Sequence, residues 1–238
     1  MEKTTFSLFK GYSDTCPSET TLAHLLHLIR EDQTVKNHTE KHRYYRSEGL
    51  QAPASREKAS CPCFAVAVRF SGGKQQKHIA SWTGFSLADL DHVPVQRMQE
   101  VLQRVREDEH TALAYVTISG EGIRILFRMD VPMEGLSAAK KIERYKKAFL
   151  AANAYYTRLT GVECDGACKN PTRLSGLAAD LSTAPDEAFA EKMMGDGAVV
   201  TPEDPYVRAP EDGEVAFVFD TKPVSYTHLR AHETKANL

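Results

Sequence analysis

The sequence predicts an α+β fold, a mainly antiparallel sheet with flanking helices. Three observations predict it. Short β-rich runs at 63–70, 78–82, 84–91, 111–119 and 123–130 are too short for helices. Apolar residues at helical spacing fill three longer segments between and around them. The dense turn "GEG" joins two of the strands as a hairpin. The order β–β–β–α–β–β–α–β suits one sheet, largely antiparallel, with helices covering a face.

The first helix is read in "PSETTLAHLLHLIRED", with Ser18 as its cap and Leu22, Leu25, Leu26 and Ile29 along one stripe. Residues 37–60 are polar, basic and aromatic, and read as a loop with a short helix. "CFAVAVRF" is a strand, "SGGK" a turn, and "HIASW" and "GFSLADLD" supply further strands. "PVQRMQEVLQRVRED" is a helix opened by Pro94. "TALAYVTIS" and "IRILFRMD" form the hairpin, and a long helix follows, ended by Gly161. The loop "VECDGACKNPTRLSGLAAD" comes next, then a short helix in 184–197. Residues 1–200 are read as one domain and 201–223 as a Pro- and acid-rich linker to a missing downstream region. "VSYTHLRAHET" resembles a translated sequencing-library adapter, so 224–238 is read as an artefact and excluded from fold reasoning.

Bulk composition is that of a globular chain: 238 residues, 42% hydrophobic, 26% charged, formal net charge −2. That charge offers no general attraction for nucleic acid. No apolar run approaches the ~20 residues of a membrane span. Five cysteines, an odd number, and the lack of a signal-peptide core place the chain in the cytoplasm. Cys61 with Cys63 and Cys164 with Cys168 lack the common zinc spacing, so they read as free thiols rather than a zinc site.

The candidate chemistry begins at "ADLDH". Side chains at i and i+2 of a strand share a face, so Asp89 and Asp91 point the same way, roughly 6–7 Å apart at the backbone. Such a pair can hold Mg²⁺ or Mn²⁺ through hard oxygen ligands. It can equally be a strand end followed by a helix cap. In "SGEGIRILFR", a turn with Ser119, Gly120 and Gly122 can leave backbone N–H groups for an anion, and Arg124 and Arg128 share a strand face. In "CDGACKNPTRLSG", Asp165 is a third carboxylate, and Lys169 and Arg173 are phosphate-binding candidates. The stretch "KNHTEKHRYYR" interleaves cations with aromatics, a pattern that grips single strands or simply sits in solvent.

Taken together, "DLD", "SGEG" with a following basic residue and "D…KNPTRLSGL…D" resemble the VirE N-terminal domain family, with "FSLFKGYSD" and "YYTRLTG" in agreement. That family is similar to the archaeo-eukaryotic primase, or primase-polymerase, fold. The resemblance implies a DNA-replication domain of a mobile element, with two-metal nucleotidyl transfer at Asp89, Asp91 and Asp165, Asp180 being the rival third acid. It implies Arg124 and Arg173 on phosphates, nucleoside triphosphate and single-stranded DNA or primer-template as partners, and a helicase-type ATPase downstream. Arg124 stands where active members carry His, which favours the alternative of an inactive nucleic-acid-binding or adaptor module. The chain carries no GxxxxGK[ST] loop of its own.

Overall fold

In the computed structural model, residues 4–129, 131–180, 198–200 and 225–227 are described. The chain divides into two units, residues 1–184 and 185–238. The first is α+β with antiparallel sheets and five α-helices among the described residues. Of the second, the described residues are two short strands, β10 (Ala198–Val200) and β11 (Ser225–Thr227), paired antiparallel. The helix expected in 184–197 and the linker at 201–223 lie outside the described residues.

The single sheet expected from the strand order is instead divided. One sheet has four strands in the order β2-β1-β3-β9, with β1 at Thr5–Phe9, β2 at Ser18–Thr21, β3 at Cys63–Ala65 and β9 at Leu174–Gly176. A second pairs β4 (Val68–Phe70) with β5 (Ile79–Trp82). A third has the order β6-β8-β7, with β6 at Phe85–Leu90, β7 at Thr111–Val116 and β8 at Ile123–Arg128. The run 63–70, read as one strand, breaks between Ala65 and Val68. Its first half pairs with β1 and β9, and its second half with β5. Alternation cannot show such a change of partner, because every residue of the run but Arg69 is buried.

The first helix, α1 (Leu22–Glu31), starts later than its pattern suggested. Ser18 belongs to β2, and Thr21 is the cap, accepting the His24 N–H at 3.2 Å. Leu25, Leu26 and Ile29 are its buried stripe. Residues 37–60, read as a loop with a short helix, lie in two helices, α2 (Gln33–Ser47) and α3 (Gln51–Ser60). Few of their side chains are apolar, so the hydrophobic stripe that marks a helix is missing. Asp32 caps α2 by accepting the Val35 N–H at 2.8 Å. After Pro94 the chain makes one 3₁₀ turn, Val95–Arg97, before α4 (Met98–Arg106). The long helix α5 (Ala138–Thr160) is capped by Ser137 and ends at Gly161, whose φ of +66° is the left-handed conformation glycine adopts freely.

The three-stranded sheet is buried on both faces, and its alternation sorts the two. Ala88 and Leu90 of β6, Ile123, Ile125 and Phe127 of β8 and Ala114 of β7 pack with Val101, Leu102 and Val105 of α4 and Tyr156 of α5. The other face meets the four-stranded sheet, where Phe6 and Phe85 rings lie 5.4 Å apart. That second face presents Asp89, Arg124 and Tyr115. No helix among the described residues is long and apolar enough to cross a membrane.

Candidate functional site

The strand register places Asp89 directly across from Arg124, and Arg124 across from Tyr115. Directly opposed side chains on one face are within contact reach. Arg124 Nη2 donates to Asp89 Oδ2 at 2.6 Å, with the two side chains only 13% and 4% exposed. Arg124 Nη1 reaches β9, donating to Ser175 Oγ at 3.3 Å and the Gly176 carbonyl at 3.4 Å. The Tyr115 hydroxyl donates to the same Gly176 carbonyl at 2.9 Å. Arg124 therefore ties the two sheets together across their interface. Asp89 Oδ1 and Arg124 Nε are buried without a hydrogen-bond partner among the described residues.

Burial works against the Arg124 charge. Asp89, and beyond it Tyr115 and Tyr12, outweigh that and hold its pKa above the ordinary arginine value. Burial pushes the Tyr115 hydroxyl up to about 12 and raises Tyr12 as well. The centre is thus a buried ion pair among neutral phenols. Tyr12, Tyr115 and Ser175 were missed in the sequence. Strand pairing brings Tyr115 to Arg124 and the sheet-to-sheet contact brings Ser175, and no spacing signals either.

The third carboxylate arrives by an unexpected route. Cys164 forms an isolated bridge with Leu90, and the Asp165 N–H donates to the Asp89 carbonyl at 2.9 Å. The loop after α5 so extends the sheet along β6. The Asp165 carboxylate accepts from the Cys168 thiol at 3.1 Å and the Ala167 N–H at 2.8 Å, with Arg173 at 4.0 Å. The thiol bond first, then the amide and Arg173, hold its pKa below the carboxylate norm. Asp91 lies just beyond β6, exposed; partial burial and then the charges of Asp89 and Asp165 raise its pKa. Asp180 is elsewhere: it accepts the Val116 N–H at 2.8 Å, and its own N–H donates to the Ile29 carbonyl at 3.0 Å.

Asp89, Asp91 and Asp165 are thus neighbours, but Asp89 is matched by Arg124 and Asp165 is engaged with its own loop. No group of three His, Cys, Asp or Glu side chains able to hold a metal occurs among the described residues. Burial pushes the Cys61, Cys63 and Cys168 thiols up to about 12 and raises Cys164. All five cysteines are free.

The glycine turn is internally occupied. Gly120 N–H donates to the Thr117 carbonyl at 2.9 Å, and Glu121 N–H to Ser119 Oγ at 3.3 Å. At Gly122 an added Cβ would lie 2.6 Å from the Leu90 carbonyl oxygen, so glycine there lets the turn touch β6. Arg43 Nε donates to the Ile118 carbonyl at 3.2 Å, and Arg46 pairs with Glu121 at 2.8 Å. The basic face of α2 is a latch on this turn, which the expectation of a single-strand grip did not foresee.

The family model for the BT4734-like, N-terminal domain matches residues 56–183, more than half the chain. The chain belongs to that family. The BT4734-like domain thus spans α3 through β9 and holds Asp89, Arg124, Tyr115 and Asp165. A second model, phosphoenolpyruvate-dependent sugar phosphotransferase system EIIA 1, matches residues 171–231. The glucose-specific EIIA component of Halalkalibacterium halodurans is 49% identical over 49 residues, 21% of this chain and 28% of its own. The glucoside-specific and glucose-specific EIICBA components of Staphylococcus carnosus are each 51% identical over 49 residues, 7% of their lengths. The chain therefore spans between 7% and 28% of the curated relatives it matches. No solved structure matches it.

These matches correct the reading made from motifs. The family is the BT4734-like N-terminal domain, and no VirE or primase family model matches. The expectations of DNA replication, nucleotidyl transfer, single-stranded DNA, nucleoside triphosphate and a helicase partner are overturned by the phosphotransferase matches. The motifs pointed to the wrong family because their spacing carries little information. Two acids at i and i+2 look the same in sequence whether they face a metal or a buried guanidinium.

Proposed function

We propose that this chain is an EIIA-type component of a phosphoenolpyruvate-dependent sugar phosphotransferase system, working in the cytoplasm. The observation that carries this is the 49% identity over 49 residues to a glucose-specific EIIA component. Five free thiols fit a reducing compartment. The matched span opens at Pro171 and includes Ser175, Gly176 and Asp180. Those residues are bonded to Arg124, Tyr115 and Val116 and lie within the BT4734-like match as well.

The role we assign to the segment is docking. A phosphoryl carrier needs a nucleophile, commonly an imidazole, and residues 171–223 contain no histidine. Residues 224–238 we continue to read as adapter-derived. The EIIC and EIIB parts named in the EIICBA relatives are the partners proposed. The test is binding of the purified chain to the S. carnosus glucose-specific EIICBA component by surface plasmon resonance. Saturable binding that is lost when 185–223 is deleted supports the reading; equal binding without that segment, or none, overturns it. Acid-labile label from radioactive phosphoenolpyruvate, with the general phosphotransferase proteins present, would convert the segment from docking element to carrier.

A further inference from the structure

An open crevice of about 590 Å³ lies away from the Asp89–Arg124 centre, between the Thr15–Pro17 segment and the β4–β5 connection. That volume is in the range of small-molecule sites. Its walls include Cys16, Gly72, Gly73, Lys74, Lys77 and His78. The connection is held in shape from within. Ser71 N–H donates to the His78 carbonyl at 2.9 Å, and Gln75 N–H to His78 Nδ1 at 3.3 Å. Gly72 has a φ of +70°, and a Cβ added at Gly73 would lie 2.2 Å from His78 Nδ1. The loop geometry therefore depends on both glycines.

Lys74 joins the two walls by donating to the carbonyls of Tyr12 and Asp14, the latter at 2.8 Å. Carbonyl dipoles hold the ammonium without cancelling its charge. Lys77 is exposed and makes no ion pair among the described residues. The carboxylate flanking this wall, Asp14, is engaged by the N–H groups of Lys10 and Cys16, each at 2.9 Å. The N–H groups of Gly72 and Gly73 make no hydrogen bond among the described residues. Two ammonium groups and two free glycine amides beside one cavity are the components of an anion cradle.

We infer that this crevice binds a small phosphoryl-bearing anion, gripped by Lys74, Lys77 and the Gly72–Gly73 amides. The inference stands independently of the EIIA-like segment. Cys16 supplies the readout, being the exposed thiol of the lining while the other four cysteines are buried.

The experiment is alkylation of the full chain by iodoacetamide, a neutral reagent, followed by intact mass. Inorganic phosphate at about ten times its dissociation constant is expected to slow Cys16 modification about tenfold. Potassium chloride at equal ionic strength should leave the rate unchanged. Lys77→Ala, a surface change without folding consequences, should lose the protection, and Lys77→Arg should keep it. Glucose 6-phosphate protecting at lower concentration than phosphate would assign the cradle to a phosphoester, and the reverse order to the free ion. Equal slowing by chloride, no slowing by either phosphate, or undiminished protection in Lys77→Ala overturns the inference.

Discussion

At the scale of the residue, Asp89 and Arg124 decide how the domain is held together. Removing one member of a buried pair leaves the other charged and unsolvated, which costs about 3–5 kcal/mol, whereas replacing both by apolar groups costs far less. Asp89→Ala and Arg124→Ala are each expected to lose an amount of that order in urea denaturation. Asp89→Leu with Arg124→Met should recover most of it, a coupling that a double-mutant cycle measures. A pair that merely decorated the surface would show additive, small losses.

The two neighbouring acids should respond to pH with opposite sign. Asp165 has a folded pKa below the ordinary 3.8, so its contribution is present above that value and lost as the pH falls through the folded pKa. Asp91 has a folded pKa above 3.8, so its ionised form opposes folding, and the penalty grows as pH rises through the folded value. At pH 7 Asp165→Asn is therefore expected to lower Tm. Asp91→Asn should raise it, by no more than a few tenths of a kcal/mol because that group is solvent-screened. Both differences should vanish once the pH lies below the folded and unfolded pKa values of both groups. Calorimetry across that range reads both, and a stabilising Asp165→Asn would overturn the assignment of its bonds.

At the scale of the element, the turn of residues 117–122 rests on two contacts. One is the approach of Gly122 to the Leu90 carbonyl; the other is the α2 latch through Arg43 and Arg46. Gly122→Ala forces a methyl group to 2.6 Å from a backbone oxygen. It is expected to cost about 1–3 kcal/mol, as overpacking does, and to raise hydrogen exchange at the paired ends of β7 and β8. An unchanged urea midpoint would show that the turn can retreat from β6. Helices α2 and α3 were read as a loop with only a short helix because their stripes are short of apolar residues. The Asp32 cap of α2 and the packing of the two helices against one another hold them instead. By contrast, α4 and α5 carry full apolar stripes, and Gly161 marks an end that the sequence already showed.

At the scale of the whole molecule, residues 1–184 form a unit with its own cores. Chain 1–184 is therefore expected to keep the near-ultraviolet circular dichroism of the full chain, with Tm within about 2 °C. A collapse of that signal would show that 185–238 is needed for the fold. Residues 56–183 of the unit match one family, while the EIIA-type match runs from residue 171, just before β9, to residue 231.

The sequence by itself determined the α+β class, the hairpin of β7 and β8, the amphipathic helices and the nearness of Asp89 to Asp91. These depend on local periodicity, turn chemistry and chain order, which a linear pattern records. The bridge that sets Asp165 beside Asp89 is tertiary. Only the tertiary structure decided what Asp89 faces. Strand register set Arg124 opposite it and Tyr115 opposite Arg124, and the packing of two sheets added Ser175 and Gly176. A cross-strand partner is chosen by a pairing distant in sequence, so the two acids read alone could not show that a guanidinium faces Asp89.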